Sequence, residues 1–228
     1  IHLEQSNWNQ ASKVFRRLKS NLQNSPYLEQ SLFFLSESLF RQKNHVETQA
    51  VLSELRQNFH PLQNPVPVIH LQVRNLVAMG ELKQADQLLR KDLRHQPDFS
   101  LIQLHLSILE KLGDQQGILE ISRLGLNLEV TEDQSFLHLQ RANALYQTKN
   151  LAKAFVHYEQ ALFNPPNGQR SFILFRLIKI HYLLKEFDAF EKRGKAYLVE
   201  DEQSDYANEL LLMLSMYFFQ KNRPKQAK

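Results

Sequence analysis

The stretch from Ser135 to Pro166 reads SFLHLQRANALYQTKNLAKAFVHYEQALFNPP. Its apolar residues recur three and four positions apart, which is the spacing of one helix face. A first helix is predicted to end near Gln147, and a second is predicted from about Leu151 to Phe163. Between them, Thr148-Lys149-Asn150 combines residues that favour helix ends and helix starts. The stretch therefore predicts a helical hairpin.

The hairpin pattern recurs along the chain. With Ala154 as a marker in the second helix, equivalent positions recur every 33 to 37 residues, at Ala11, Thr48, Ala85, Ile118, Ala154, Phe190 and Ala227. A polar turn of similar character lies shortly before each marker. Recurrence at a nearly constant interval is the sequence signature of a stacked repeat protein.

Five residues of the quoted stretch occupy the signature positions of a known repeat: Ala142, Ala154, Tyr158, Ala161 and Pro166. The chain therefore resembles the tetratricopeptide repeat superfamily. The resemblance implies an all-α, right-handed superhelix (α-solenoid) of about seven helix–turn–helix repeats, five complete and one partial at each end. Most intervals exceed the family period of about 34 residues. The fourth unit, with Ile118, Ser122 and Gly125, and the sixth, with Phe190 and Gly194, are divergent.

We expect residues 1–228 to form one solenoid segment with approximate units 1–28, 29–65, 66–98, 99–134, 135–170, 171–207 and 208–228. Ile1 and Lys228 fall in mid-unit, which suggests a piece of a longer repeat protein. Helix starts or breaks are predicted at Ser25-Pro26, Asn64-Pro65, Thr131 with Gln134, and residues 164–168.

Apolar stripes predict the core. In the first helices they comprise Leu32, Leu35, Leu39; Ile69, Val73, Leu76; Ile102, Leu106, Leu109; Leu174, Leu177, Ile178; and Leu211, Leu214, Phe218. In the second helices the clearest are Trp8, Ala11, Phe15, Leu18 and Leu82, Ala85, Leu89. Each stripe needs a partner helix to cover it.

Composition agrees with a folded helical protein. Apolar residues make up 43% of the 228, and 28 basic residues oppose 24 acidic ones for a net charge of +4. Without cysteine the chain has no disulfide, thiolate nucleophile or thiolate metal site. No apolar run approaches the length of a membrane span, so no membrane segment is predicted.

No pattern indicates catalysis. The nine histidines include no HExxH arrangement, and the chain lacks a phosphate loop, a dinucleotide fingerprint and a GxSxG elbow. Acidic runs at 132–133 and 200–202 fall in predicted turns, and His181 is interpreted as a core histidine with a satisfied partner. The sequence predicts no enzyme, no catalytic residue, no metal, no cofactor and no small-molecule substrate.

The resemblance also implies a binding surface, because first helices line the concave side of such superhelices. The positions that point into the groove hold Phe33, Glu37, Phe40, Arg41, His70, Arg74, Gln103, Glu110, Asn143, Tyr146, Phe175, Lys179, Tyr182, Met216 and Phe219. Aromatic anchors with a few charges suit a protein or peptide partner. Alternatively, some of these side chains pack between units. Some members of the family hold the C-terminal carboxylate of chaperones with a clamp of Lys and Asn at two groove positions. Here Asn143 has Leu139 at the position where the clamp needs Lys, so that clamp is absent.

These features favour a protein–protein interaction scaffold or adaptor that assembles a larger, bacterial complex, with the cell envelope favoured over the cytoplasm by analogy. One alternative is an RNA-binding helical repeat. Another is the partner-binding arm of an enzyme whose catalytic domain lies elsewhere. Nucleic acid is disfavoured, although basic groups recur at Arg16, Arg17, Lys19; Arg90, Lys91, Arg94; Lys192, Arg193, Lys195; and Lys221, Arg223, Lys225, Lys228. Self-association through an exposed array end remains open.

Overall fold

The computed structural model describes residues 7–21, 27–59, 61–95, 97–128 and 134–222. In these ranges the chain forms twelve α-helices and no strand. The helices are α1 (Trp8–Asn21), α2 (Leu28–Arg41), α3 (His45–Asn58), α4 (Pro65–Ala78), α5 (Leu82–His95), α6 (Phe99–Leu112), α7 (Gln115–Leu126), α8 (Gln134–Gln147), α9 (Leu151–Phe163), α10 (Arg170–Leu183), α11 (Phe187–Glu200) and α12 (Ala207–Asn222).

The chain divides into two compact units, Ile1–Leu112 and Gly113–Lys228, which contain α1–α6 and α7–α12 respectively. The prediction of an all-α chain of tandem helix–turn–helix repeats is confirmed. Each of the five central repeats contributes two consecutive helices, beginning with α2 and α3 and ending with α10 and α11. Some predicted features lie outside the described residues: Ile1, His2, Ser25-Pro26, His60, Thr131, residues 132–133, and Arg223 to Lys228.

The turns between paired helices share one backbone conformation. A residue with positive φ follows the first helix in each of the five central repeats, namely Lys43, Gly80, Gly113, Lys149 and Lys185, with φ between 60° and 82°. At Lys149, the backbone N–H donates to Tyr146 at 3.0 Å and the next N–H donates to Leu145 at 2.8 Å. These two bonds form a Schellman motif, which satisfies carbonyls that the helix end leaves unpaired.

The marker position is the fourth residue of every described second helix, and it is buried each time. Its backbone N–H makes the first hydrogen bond of that helix, for example from Ala154 to the Asn150 carbonyl at 2.9 Å and from Phe190 to Glu186 at 3.0 Å. The repeat frame read from the sequence therefore identifies a definite structural position, the point where the second helix begins.

The predicted core is largely confirmed. Leu32, Leu35 and Leu39 lie in one buried cluster with Leu52 and Leu55 of α3. A second cluster joins α8, α9 and α10 around Tyr158, and a third joins α10, α11 and α12. Several predicted members are only half-buried: Leu174, Phe218, Trp8, Phe15, Leu18 and Leu82.

The prediction for Leu211 is wrong. This side chain is 47% exposed, and α12 instead buries Leu210, Leu214 and Tyr217. Residues 210–214 of α12 are all apolar. The apolar run contains more than one stripe with helical spacing, so periodicity alone could not choose the buried one.

Lysine is poorly suited to the left-handed conformation, because its Cβ crowds the backbone there. We predict that replacing Lys43, Lys149 and Lys185 with glycine raises the free energy of unfolding by about 0.5–1 kcal/mol per site. The left-handed conformation costs a residue with a Cβ about 1–2 kcal/mol, and removing this cost outweighs the entropic penalty of glycine. Urea unfolding followed by circular dichroism measures the change. Lys91→Gly on the exposed face of α5 is the control and should destabilise by about 1 kcal/mol. Equal effects at turn and helix sites would contradict this account.

Candidate functional site

Four predicted groove residues share one face of α2. Phe33, Glu37, Phe40 and Arg41 are spaced four, three and one residues apart, which keeps them on adjacent parts of the helix surface. The Arg41 guanidinium lies 5.6 Å from the Trp8 ring centre, and its nearest carboxylate contact is Glu37 at 3.6 Å. Both phenylalanines are half-buried. The α2 surface therefore combines aromatic area with one balanced charge pair.

A cavity of ≈ 450 Å³ opens beside Phe33. One wall comes from the start of α2, and the other comes from the loop before α4 and the first turn of α4. The lining residues are Tyr27, Glu29, Gln30, Phe33, Phe34, Gln63, Asn64, Pro67 and Val68. Proteins bind small groups in cavities of this size that combine apolar walls with a few polar atoms. We call this space the Phe33 cavity.

Two contacts hold the walls of the Phe33 cavity in place. The buried Glu29 carboxylate accepts the backbone N–H of Gln63 at 2.9 Å, which ties the loop to α2. The Phe34 ring stacks on Phe15 of α1, with ring centres 5.6 Å apart. The one acidic side chain in the lining is thus bonded to the backbone. The ligand-facing surface presents aromatic rings and amides, with no basic group among the lining residues.

Asn64 explains why this space is open. It immediately precedes α4, the first helix after the α2–α3 repeat, and Tyr206 immediately precedes α12, the first helix after the α10–α11 repeat. The Tyr206 ring stacks on Phe175 with ring centres 5.0 Å apart. Phe175 occupies in α10 the position that Phe33 occupies in α2. A tyrosine therefore covers the aromatic ring in one place, and a small amide leaves it accessible in the other.

This comparison corrects the prediction for Phe175, which is only 3% exposed and cannot present its ring to a partner. Nearby, Lys179 binds Glu209 at 2.5 Å, and Tyr182 packs on Phe190 with ring centres 5.0 Å apart. Asn143 accepts the Tyr158 hydroxyl at 2.7 Å inside its own hairpin. Tyr146 is half-buried under the Arg176 guanidinium. Met216 and Phe219 are exposed on α12.

The remaining predicted residues belong to α4 and α6. The Arg74 guanidinium lies 5.1 Å from the Phe40 ring centre, so α2 and α4 contribute to one surface. His70 lies within hydrogen-bond distance of Ser100, at 3.0 Å. Gln103 and Glu110 are exposed. Of the residues lining the Phe33 cavity, sequence reasoning found Phe33 and missed the others. The Asn64-Pro65 break was the available signal for them.

Comparisons with known proteins give the fold. No family model matches the sequence, and no curated protein matches it. A solved structure of the C-terminal part of a TPR repeat-containing protein from Cytophaga hutchinsonii matches 92% of this chain and 96% of its own, at 13% identity and a TM-score of 0.57. The chain has the tetratricopeptide-repeat fold.

Two further structures share this tetratricopeptide-repeat architecture. BtubC from P. vanneervenii matches 94% of this chain and 93% of its own, at 14% identity and a TM-score of 0.56. The Cut9–Hcn1 hetero-tetramer of the APC/C matches 93% of this chain but only 40% of its own, at 13% identity and a TM-score of 0.51. At these identities the likeness concerns the fold.

The basic groups on the repeat surface are largely paired with carboxylates inside the chain. Six members of the predicted basic groups make ion pairs at 2.5–3.2 Å: Arg16 with Glu47, Lys19 with Glu54, Arg90 with Asp86, Arg193 with Glu159, and Lys195 and Lys221 with Glu191. Pairing lowers the positive potential that a polyanion needs. Arg223, Lys225 and Lys228 lie outside the described residues.

A second cavity, of ≈ 620 Å³, lies in the 1–112 unit among α3, α4, α5 and the loop after α3. Its polar side contains Arg56, which binds Asp92 through two hydrogen bonds of 2.8 and 3.0 Å and Gln72 through one of 3.1 Å. Lys91 and His95 complete the polar part of the lining. This cavity differs from the Phe33 cavity in carrying positive charge.

His70, Ser100 and Asp98 resemble a catalytic triad only by composition. The Ser100 hydroxyl donates to the Asp98 carboxylate, which also accepts the backbone N–H of Leu101 at 3.1 Å and caps the start of α6. His70 must therefore donate to Ser100, whereas a catalytic base must accept the serine proton. Burial lowers the pKa of His70. The three residues form a helix cap.

A pair of histidines joins α8 and α9. The Nδ1 atoms of His138 and His157 lie 3.0 Å apart, and Nε of Arg141 donates to Nε2 of His157 at 3.2 Å. Because the arginine supplies a proton at Nε2, His157 carries its own proton on Nδ1 and donates it to His138. Burial, together with the charges of His138 and Arg141, lowers the pKa of His157 to about 4.

This histidine pair could offer a metal ion two nitrogen ligands at most. The two nitrogens face each other beside the Arg141 guanidinium. Within the described part of the chain, no group of three His, Asp or Glu side chains could hold a metal ion. His181 is buried and its Nδ1 lies 2.6 Å from the Glu186 carboxylate, as a core histidine would. Every helix in the described ranges is too short or too polar to cross a bilayer.

The His157 pair predicts a specific pH dependence. Its folded pKa of about 4 lies below the unfolded value of 6.5. The unfolded chain therefore binds the proton more readily, and the free energy of unfolding decreases as pH falls from about 6.5 towards 4. We expect His157→Gln to reduce the drop in urea midpoint between pH 7 and pH 5. Phe163→Ala, exposed at the end of α9, removes no titratable group and should leave the drop unchanged. An equal drop in the wild type and both variants would contradict the lowered pKa of His157.

Proposed function

We propose that this chain is a non-catalytic protein-interaction scaffold that holds a partner polypeptide on the first-helix surface of the 1–112 unit. The Phe33 cavity is the observation that carries the proposal. Its walls include the rings of Tyr27, Phe33 and Phe34, and its rim includes three side-chain amides. Protein-binding surfaces rely on a few such apolar anchor pockets surrounded by polar contacts.

The chemistry of the cavity indicates the kind of segment that it would accept. The aromatic walls favour an apolar side chain, because a negative charge buried there would lie beside the Glu29 carboxylate without a counter-ion. The amides of Gln30, Gln63 and Asn64 can donate to and accept from the backbone of an extended peptide. Along the same face, Arg41 and Arg74 lie over aromatic rings and supply positive charge near the anchor.

The fold comparisons support a protein partner. The Cut9–Hcn1 structure shows one protein of this fold inside a hetero-tetramer. We extend the proposal to the assembly of a larger complex on this scaffold, and the bacterial setting stays a prediction from the sequence. If the chain is instead the partner-binding arm of an enzyme, we propose that the Phe33 cavity holds the partner polypeptide in the same way.

RNA binding is the weaker candidate. It requires a continuous basic surface, and the six ion pairs described above lower the positive potential of the basic side chains on α1, α5, α11 and α12. The Phe33 cavity is lined by aromatic rings, but its rim lacks the cations that contact a phosphate backbone. The cavity with Lys91 and His95 carries positive charge and makes this candidate testable.

The scaffold proposal predicts that peptides selected from a random displayed library share an apolar anchor residue and bind the Phe33 cavity. We expect Phe33→Ala and Tyr27→Ala to weaken a selected peptide by about tenfold or more, as anchor truncations do. Isothermal titration measures the affinities. Phe163→Ala, almost fully exposed at the end of α9, is the matched control and should bind like the wild type.

Asn64→Tyr supplies a second, opposite test. The new ring should cover Phe33 as Tyr206 covers Phe175, and the Asn64 side chain makes no capping hydrogen bond that would be lost. We expect peptide binding to disappear while the helical circular dichroism signal and unfolding midpoint are maintained. Selected peptides that bind Phe33→Ala and Asn64→Tyr as tightly as the wild type would refute the Phe33 cavity as the binding site.

For single-stranded RNA, we expect fluorescence anisotropy to show only weak, salt-sensitive binding, with a dissociation constant of about 10⁻⁴–10⁻⁶ M at physiological salt, as for non-specific contacts. Lys91→Glu should then have a small effect. A different result would establish the cavity with Lys91 and His95 as the functional surface. In that case RNA would bind more tightly, Lys91→Glu would abolish the binding, and Phe33→Ala would leave it intact.

A further inference from the structure

Helices α2 and α4 meet at two places in the 1–112 unit, and the Phe33 cavity is one of them. There, Phe33 of α2 and Pro67 and Val68 of α4 line the cavity. At the second place, the Arg74 guanidinium of α4 lies over the Phe40 ring of α2, 5.1 Å from its centre. We call the surface between these two places the α2–α4 surface. It has an apolar end and a cationic end.

The two helices agree on the distance between these ends. Seven residues separate Phe33 from Phe40, and seven separate Pro67 from Arg74. Since an α-helix rises about 1.5 Å per residue, each helix places its two ends about 10 Å apart. Helices α2 and α4 therefore run in the same direction along this surface. A chain that lies along it meets the cavity and, about 10 Å later, the guanidinium.

Arg74 has its charge available for a ligand. Its side chain is exposed, and among the described residues no carboxylate forms an ion pair with it. Arg56 of α3 differs, because its guanidinium binds the Asp92 carboxylate through two hydrogen bonds. A guanidinium that lies over an aromatic ring keeps the N–H groups along its edge for an acceptor such as a carboxylate. Arg74 is therefore placed to bind an anionic group.

Buried neighbours hold the Arg74 site in place. Asn75, the next residue, is fully buried, and its Nδ2 donates to the His45 carbonyl at 3.0 Å. The Asn75 Oδ1 lies 2.9 Å from Nδ1 of His45. The His45 ring in turn packs edge-on against Phe40, with ring centres 5.6 Å apart. These contacts fix both the Phe40 ring and the backbone at Arg74, and preorganisation of this kind lowers the entropic cost of binding.

Acidic side chains occupy the rest of the α2–α4 surface. Glu29 lines the Phe33 cavity, and Glu37 is half-buried on α2 between Phe33 and Phe40. A carboxylate of a partner would meet a like charge at the cavity or beside Glu37, and an opposite charge only near Arg74. The surface therefore distinguishes where along a bound segment an acidic residue lies.

We propose that the partner segment carries an acidic residue three positions from its apolar anchor, and that Arg74 binds this residue. The inference rests on the proposed function, because it places the anchor in the Phe33 cavity. An extended chain advances about 3.3 Å per residue, so three residues span the distance of about 10 Å between the two ends. The occupant is thus an extended polypeptide with one apolar side chain and one carboxylate at this spacing.

A glutamate scan of a synthetic peptide tests the spacing. The probe is a library-selected peptide whose binding requires Phe33, with every charged residue other than the anchor replaced by serine. One glutamate is then placed at each position up to four residues on either side of the anchor, and isothermal titration measures each affinity. We expect glutamate to strengthen binding about two- to fivefold at three residues on one side of the anchor, as exposed ion pairs do. A maximum at another position, or no maximum, would overturn the proposal.

A charge exchange identifies Arg74 as the residue that binds the carboxylate. In Arg74→Glu, the preference for glutamate at that position should become a preference for lysine of similar size, while the neutral peptide binds like the wild type. Arg94→Glu, exposed on α5, is the matched control and should retain the preference for glutamate. A preference for glutamate that survives Arg74→Glu would contradict the assignment.

The two claims fail in different ways. A peptide that needs Phe33 but shows no charge preference refutes the acidic residue and leaves the scaffold proposal standing. Peptides that bind Phe33→Ala as tightly as the wild type refute the cavity as the anchor site, and the spacing with it. A library that yields no binder refutes both.

Discussion

The structure depends on how the second helix of each repeat begins. The fourth residue of every described second helix is buried, and its N–H starts the helix. Alanine fits most simply, but the position accepts other residues when the surroundings adapt. Thr48 donates its hydroxyl to the Asn44 carbonyl at 2.7 Å. Phe190 packs between Tyr182 and Tyr217, where Gly194 keeps the next turn of α11 narrow. A close-packed start is therefore maintained by different residues in different repeats.

Charges on the second helices mainly join neighbouring repeats. Arg16 pairs with Glu47, Arg56 with Asp92, and Arg193 with Glu159, in each case across one repeat length. Exposed pairs of this kind contribute about 0–1 kcal/mol each. The Arg56 pair is more sheltered and bidentate, which makes it the most specific of the three. These charges are therefore engaged within the chain and join one repeat to the next.

Sequence reasoning predicted the helices and most of the core, because both depend on the periodicity of apolar residues. The turn at 148–150 and the helix at 151–163 lie where the pattern of apolar and polar residues changes. The same reasoning failed for Leu211, because an all-apolar run leaves the buried stripe undetermined, and for Phe175, because a residue 31 positions later covers that ring. The Phe33 cavity could not be predicted either, since it arises between α2 and a loop more than 25 residues away.

Equivalent first-helix positions differ in how exposed they are, and a residue later in the chain can cover such a position. Phe33, Phe175 and Leu212 occupy equivalent places on α2, α10 and α12. Tyr206 covers Phe175, whereas Asn64 leaves a cavity beside Phe33. For Leu212, the described residues provide no covering ring, and the side chain is 61% exposed. Apolar character at this position therefore cannot by itself distinguish core from site. The residue just before the next first helix contributes to that distinction: Tyr206 closes the position on α10, and Asn64 leaves it open on α2, whereas Leu139 of α8 is buried although Gln169 precedes α10.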